Sequence, residues 1–192
     1  MDKQLDAIPE DSLVSRSARG DEQAFGVLVE RYKGMLYSMA TRLMKDRGRA
    51  EDAAQESFIK AWAALPGFKG ESKFSSWLYR ICYNTCISEL RKRKPEVELD
   101  EAMEVPVEGP AQEFRNRDIQ ATIQDEVSRL PDDYRAAITL YHFNGLSYEE
   151  IAKLTRKPMG TVKANIHRAR AALKTRLVER VGWDNLKEVM WQ

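Results

Sequence analysis

The sequence predicts an all-α protein built from two small helical domains joined by an acidic flexible linker. Three observations predict it. Apolar residues recur at three- and four-residue steps in both halves of the chain. The alternation of apolar and polar residues that marks a half-buried strand is not found. Between the halves, the stretch 95–116 holds Pro95, Pro106, Gly109 and Pro110 and little hydrophobic periodicity.

The first domain is expected over residues 11–94. Phe25, Leu28, Val29, Tyr32, Leu36, Met39, Ala40 and Leu43 form one helical face, with Asp21 as its N-cap after Gly20. A second helix is expected over 49–64, with Ala50, Ala54, Phe58, Ala61 and Leu65 on one stripe and Pro66-Gly67 as its stop. A polar loop, Phe68 to Lys73, leads to a third helix over 75–92. The second domain is expected over 117–178, followed by a tail, 179–192. Ile119, Ile123, Val127 and Leu130 make one stripe, closed by Pro131. Tyr134, Ile138, Leu140 and Tyr141 belong to a further helix that stops near Asn144-Gly145.

Charge is distributed unevenly. The 192-residue chain has a formal net charge of +1, which cancels two opposite biases. From Pro95 to Phe114 there is no Lys or Arg, against seven acidic residues: Glu96, Glu98, Asp100, Glu101, Glu104, Glu108 and Glu113. From Arg156 to Arg180 eight basic residues face Glu179 alone, and Arg91-Lys92-Arg93-Lys94 is a second basic cluster. No apolar run approaches the ~20 residues that cross a bilayer, and residues 1–10 lack the apolar core of a signal peptide. A cytoplasmic protein without membrane insertion is expected.

A helix-turn-helix is legible near the C-terminus. Ser147-Tyr148-Glu149-Glu150 is a capping box that opens a short helix with Ile151, Ala152 and Leu154 on its inner side. Arg156-Lys157-Pro158 interrupts, and Pro158 suits the first turn of a new helix. Val162, Ile166, Ala169 and Leu173 then face inward, and the opposite face carries Lys163, Asn165, His167, Arg168 and Arg170. A recognition helix needs this division, because its first turns enter the major groove and its charged flank meets phosphates. An ordinary helical hairpin with a solvated basic face is the bland alternative. The short turn and the one-sided charge favour DNA binding. Arg156 stands where many such turns carry Gly, so a different turn geometry is expected.

Two further segments narrow the reading. Asp52-Ala53-Ala54-Gln55-Glu56-Ser57-Phe58 is followed by Phe68-Lys69-Gly70-Glu71-Ser72-Lys73-Phe74-Ser75-Ser76-Trp77-Leu78-Tyr79-Arg80-Ile81 and then Asn84. They resemble region 2 of an extracytoplasmic-function (ECF) sigma factor of bacterial RNA polymerase, in group 4 of the sigma-70 family. Leu130-Pro131, Gly145 to Ala152 and Gly160-Thr161-Val162-Lys163 resemble region 4 of the same family. The resemblance covers nearly all of residues 15–177, with two motif sets in the right order.

The resemblance implies an alternative sigma factor. It would bind core polymerase, recognise −35 and −10 promoter elements, help melt DNA, and answer to an anti-sigma factor. Asp52, Gln55, Glu56 and Phe58 would dock on the β′ clamp helices of the polymerase, which would also be met through β. Without that context such polar residues read as a solvated face. Phe68, Lys69, Lys73, Tyr79, Arg80, Tyr83 and Asn84 would read the −10 element, Phe68 and Asn84 holding a flipped base and the cations holding phosphates. Trp77, Leu78 and Ile81 read as core, and Phe68 admits that reading too. Arg91 and Lys92 would touch duplex upstream, or simply complement a helix C-terminus. Thr161, Lys163, Ala164, Asn165, His167 and Arg168 would face the −35 groove. The acidic linker would thread the nucleic-acid channels of the polymerase, or serve only as a soluble tether.

No phosphate-binding Gly loop, nucleophile elbow or HExxH pattern appears, so neither an enzyme nor a cofactor is expected. Cys82 and Cys86 lie one turn apart without two further ligands nearby in the chain, and buried packing is their expected role rather than a metal or a redox switch. A stand-alone helix-turn-helix regulator is the alternative function, and a helical protein-binding adaptor a third.

Overall fold

The computed structural model describes residues 8–92 and 121–181. The chain forms two compact units, 1–92 and 93–192. All regular structure among the described residues is helical.

The first unit is a bundle around α2 (Glu22–Met44), α3 (Arg47–Ala64) and α4 (Phe74–Arg91), which pack pairwise. Local chemistry sets their boundaries. The Asp21 carboxylate accepts from the Ala24 amide and caps α2, as the sequence suggests. Lys45 turns left-handed to end α2, and Asp46 caps α3 by accepting from the Arg49 amide. Pro66 cannot continue α3, so the chain tightens into a 3₁₀ turn, Leu65–Gly67.

A short helix, α1 (Glu10–Ser17), precedes these and packs on α2. It is not legible in the apolar pattern, because only Leu13 and Val14 supply its hydrophobic face.

The core holds Leu28, Leu36, Met39, Leu43, Leu65 and Leu78, all nearly inaccessible. Each such side chain contributes about 1.5–3 kcal/mol by leaving water. α3 and α4 pack together, and the buried positions of α3 are all small, Ala50, Ala53, Ala54, Ser57 and Ala61, with Cys82, Thr85 and Cys86 as the small buried positions of α4. Both thiols are free and buried, the placement expected of packing cysteines.

In the second unit, residues 121–128 are helical, followed by α6 (Asp132–Ile138), α7 (Tyr148–Thr155) and α8 (Met159–Val181). The helix over 121–128 is α5. α6 widens into a π turn, Thr139–Phe143, rather than continuing as the regular helix expected there. The Asn144 amide reaches the Thr139 carbonyl, five residues back, at 3.1 Å. Gly145, at φ 66°, then reverses the chain.

Two buried charges brace this unit. Glu126 on α5 meets Arg180 at 2.7 Å and Arg176 at 3.7 Å, which ties α5 to the end of α8. Arg135 on α6 donates to the carbonyls of Leu130, at 2.9 Å, and Ser128, at 3.4 Å. It also meets the exposed Asp132 at 2.7 Å.

Ile119, the acidic stretch 95–116, Arg93 and Lys94 of the basic cluster, and tail residues 182–192 lie outside the described residues.

Candidate nucleic-acid interface

α3 presents Asp52, Gln55 and Glu56 to solvent. Ile59 continues that face at the next turn and is 64% exposed, the most exposed large apolar side chain among the described residues. It was missed because an apolar residue beside a core stripe reads as core. Glu56 makes only a loose pair with Lys60 at 3.4 Å. Phe58 is half-buried and turned toward α2, its ring edge-on to Phe25 at 6.5 Å. Its contact is with the bundle, one helical step away from the polar face.

Phe68, Phe74 and Trp77 form a closed triangle of rings, with centroids 5.0–6.0 Å apart. Phe74 is its buried corner, and Phe68 and Trp77 keep part of their surface in water. From this triangle an accessible stripe runs along α4 through Trp77, Arg80, Asn84, Ser88 and Arg91, spaced three and four residues apart. Lys69 and Lys73 are exposed beside the same triangle. Lys92 is exposed as well and pairs with Glu89 at 2.6 Å.

Two expected readers are not on this stripe. Tyr79 is 2% and Tyr83 8% exposed, and the Tyr79 hydroxyl points to the Met35 sulfur at 3.6 Å. Their positions turn toward the bundle, so these rings shape the core beneath the stripe and do not face a nucleic acid.

In the second unit the capping box forms as read: Ser147 accepts from the Glu150 amide, and the Glu150 carboxylate accepts from the Ser147 amide. Arg156 takes the left-handed conformation at φ 56°. The turn therefore keeps the geometry a glycine would give it, contrary to the departure expected from the residue type; the side chain adds a backbone cost of about 1–2 kcal/mol.

α8 exposes Thr161, Lys163, His167 and Arg168, with Ala164 half-exposed among them. Asn165 is a correction. It is 5% exposed and lies on the inner stripe with Val162, Ile166 and Ala169. One residue turns the helix by about 100°, which carries Asn165 off the basic face.

A ladder of side chains that the sequence does not announce joins the two helices of this motif. Tyr141 and Tyr148 stack at 4.9 Å with their planes 7° apart. Lys163 lies over the Tyr148 ring at 5.6 Å and Arg170 over Tyr141 at 5.1 Å. The Arg170 Nε–H donates to His142 Nε2 at 2.8 Å, so that nitrogen is an acceptor and the imidazole is neutral.

Burial, and then the Arg170 charge, hold the His142 pKa below its usual 6.5. The folded state thus binds fewer protons than the unfolded chain. Its full contribution is present above pH 6.5 and is lost as pH falls through the lower folded value. The second unit is expected to lose thermal stability as pH falls below 6.5. His142→Gln, which keeps an acceptor but cannot titrate, should flatten that slope; an equally steep slope in the variant would remove the assignment.

The Sigma-70 region 2 family matches residues 28–96, and the Sigma-70, region 4 family matches residues 120–173. The chain is 41% identical over 174 residues to the RNA polymerase sigma-H factor of Pseudomonas aeruginosa, covering 84% of this chain and 90% of that one. The chain belongs to the ECF sigma factors of the sigma-70 family.

A second relative is the ECF RNA polymerase sigma factor SigW of Bacillus subtilis, 36% identical over 176 residues, with 85% of this chain and 94% of that one covered. Among solved structures, the sigma factor RpoE from Bartonella quintana, in complex with the anti-sigma factor NepR, is 26% identical. It superposes with a TM-score of 0.66, covering 82% of this chain and 98% of that one.

A sigma factor binds core RNA polymerase and gives it promoter selectivity. The region 2 match sets aside a stand-alone helix-turn-helix regulator, which has no such half. Among the described residues of this sigma factor, no helix is long and apolar enough to cross a membrane.

Proposed function

We propose that this sigma factor divides promoter-specific initiation among three surfaces. The observation that carries the proposal is the accessible stripe on α4 that begins at the Phe68–Phe74–Trp77 triangle and ends in basic residues. An aromatic wall with an amide and cations along the same stripe suits an unstacked base continuous with a phosphate backbone. Phe68 and Asn84 hold a base of the −10 element, Lys69, Lys73 and Arg80 its phosphates, and Arg91 and Lys92 the duplex upstream. Trp77 packs the wall and borders the fork. Asp52, Gln55 and Glu56 offer acceptors to a basic helix of the core enzyme, and Ile59 adds apolar contact at the next turn. Thr161, Lys163, Ala164, His167 and Arg168 face the −35 element.

Control by an anti-sigma factor follows the same logic. The RpoE relative is held by such a partner, and a protein that covers the acidic α3 face or the α8 face silences initiation here. The chemistry of RNA synthesis belongs to the polymerase, with no enzymatic step and no cofactor in this chain, which acts in the cytoplasm.

The test is run-off transcription of genomic DNA by core polymerase with and without the purified chain. Transcripts that start at defined sites only when the chain is present support the proposal; tight duplex binding without transcripts refutes it.

A narrower expectation concerns Arg168. Arg168→Ala should weaken −35 duplex binding roughly tenfold, toward the lower end of what a lost base contact costs, and relax preference at one base pair. Competition with single-base variants of the mapped −35 element measures this. A uniform loss across all variants would reassign Arg168 to phosphate.

A further inference from the structure

The Phe68–Phe74–Trp77 triangle does not stand alone. Its buried corner, Phe74, meets the Tyr32 ring edge-on at 5.5 Å. Tyr32 lies on α2, is 8% exposed, and its hydroxyl donates to the Glu10 carboxylate. Glu10 is the first residue of α1. Burial and the Glu10 carboxylate together raise the Tyr32 pKa, which keeps its phenol protonated and donating.

Other contacts fix α1 in place. Arg31, beside Tyr32, donates to the Ile8 carbonyl at 2.8 Å. α1 also packs against the 3₁₀ turn Leu65–Gly67, from which the Phe68 loop departs, and the Phe68 amide bonds back to the Leu65 carbonyl at 3.0 Å. Thus α1 touches both supports of the triangle: the ring behind Phe74 and the turn before Phe68.

We infer that Glu10 is a positioning residue for the −10 pocket, acting through the Tyr32 hydroxyl on Phe74 and so on the placement of Phe68 and Trp77. This rests on the reading of the triangle as the base-holding wall. An aromatic ring held only by other rings can slide along their faces, because offset and edge-on arrangements differ little in energy. A charge-assisted hydrogen bond has a narrow angular optimum and pins the Tyr32 ring in its own plane. Phe74 then has one seat, and the pocket exists before the base arrives. Preorganisation of this kind improves binding by removing the cost of ordering the wall.

The experiment uses holoenzyme and a fluorescein-labelled non-template strand carrying the −10 element mapped by run-off transcription. Glu10→Ala and Tyr32→Phe should each weaken strand binding about three- to tenfold, with core affinity unchanged. The double variant should be no weaker than either single, because the two groups share one interaction. Glu10→Gln retains an acceptor and should recover most of the affinity. Additive losses, or an equal loss of core affinity, would overturn the inference and point to general loosening of the bundle.

Phe68→Ala separates the two levels. If it abolishes strand binding while Glu10→Ala and Tyr32→Phe do not affect it, the relay fails and the pocket stands. If Phe68→Ala binds the strand normally, pocket and relay fall together.

Discussion

Holoenzyme carrying Phe68→Ala is expected to form open complexes on the order of a hundredfold less well than the parent at the same promoter. Stacking of a base on an aromatic side chain is worth about 1–3 kcal/mol, and the upper end of that range is a factor of roughly a hundred. Phe68 belongs at the upper end because its ring also supports Trp77 at 5.0 Å and Phe74 at 6.0 Å, so its removal opens the wall as well as one face. Core binding should not change, since the Asp52–Glu56 face lies on another helix. Phe68→Leu, which keeps apolar volume but has no π-face, should fall between the two. Strand binding and permanganate footprinting on one promoter measure the effect. Open complexes at parental levels would remove Phe68 from the pocket.

Arg135→Ala is expected to have the largest effect on stability. Arg135 is 3% exposed and carries the carbonyls of Leu130 and Ser128 across the corner between α5 and α6. Truncation leaves the buried Leu130 carbonyl without that donor, at about 1–3 kcal/mol per unsatisfied group, and removes the packing of the arginine stem. The pair with Asp132 adds little, because that carboxylate is exposed. A loss of about 3 kcal/mol is most of the stability of a unit this small, and moves its melting point down by roughly 10–20 °C. Calorimetry of the full chain should show one transition displaced and the transition of the first unit unmoved. Arg135→Lys should recover only part, since one ammonium cannot span both carbonyls as the guanidinium fork does. A displacement of less than about 3 °C would show that the corner holds without it.

What could be read in the sequence was what short-range chemistry decides. Asp21 as a cap, the Ser147–Glu150 box and the stop at Pro66 need only residues three or four apart, and all three form. The long apolar stripes of α2 and α8 likewise outweigh any local ambiguity. The misses have a common cause. α1 is two turns long and has too few apolar residues to show a period. The π turn comes from an amide reaching five residues back, which no residue preference announces. Arg135 and Glu126 carry charge, so composition places them in water, whereas each is buried against partners elsewhere in the unit.

At the site, Asn165 was assigned to the basic face, and the resemblance assigned Tyr79 and Tyr83 to the pocket, yet all three are buried. Helical phase, not residue type, decides each case. Phe68, Arg80 and Asn84, the −10 residues the resemblance implies, keep surface in water on the loop and along α4.

The small-residue seam between α3 and α4 bears on timing. Ser57 bonds the Ala53 carbonyl of its own helix, while Lys60 reaches Thr85 at 3.3 Å and Arg49 reaches the Glu89 carbonyl at 3.0 Å, both on the other helix. Long side chains absorb displacement by changing rotamer; alanine, serine and cysteine have almost no such travel. A displacement of α3 is therefore expected to pass to α4 and its Arg80–Asn84 stripe with little rotameric damping at these small buried positions. On the proposed division of surfaces, capture of the enzyme and alignment of the base reader would be linked events, and a repressor that tilts α3 by a small angle would disturb both.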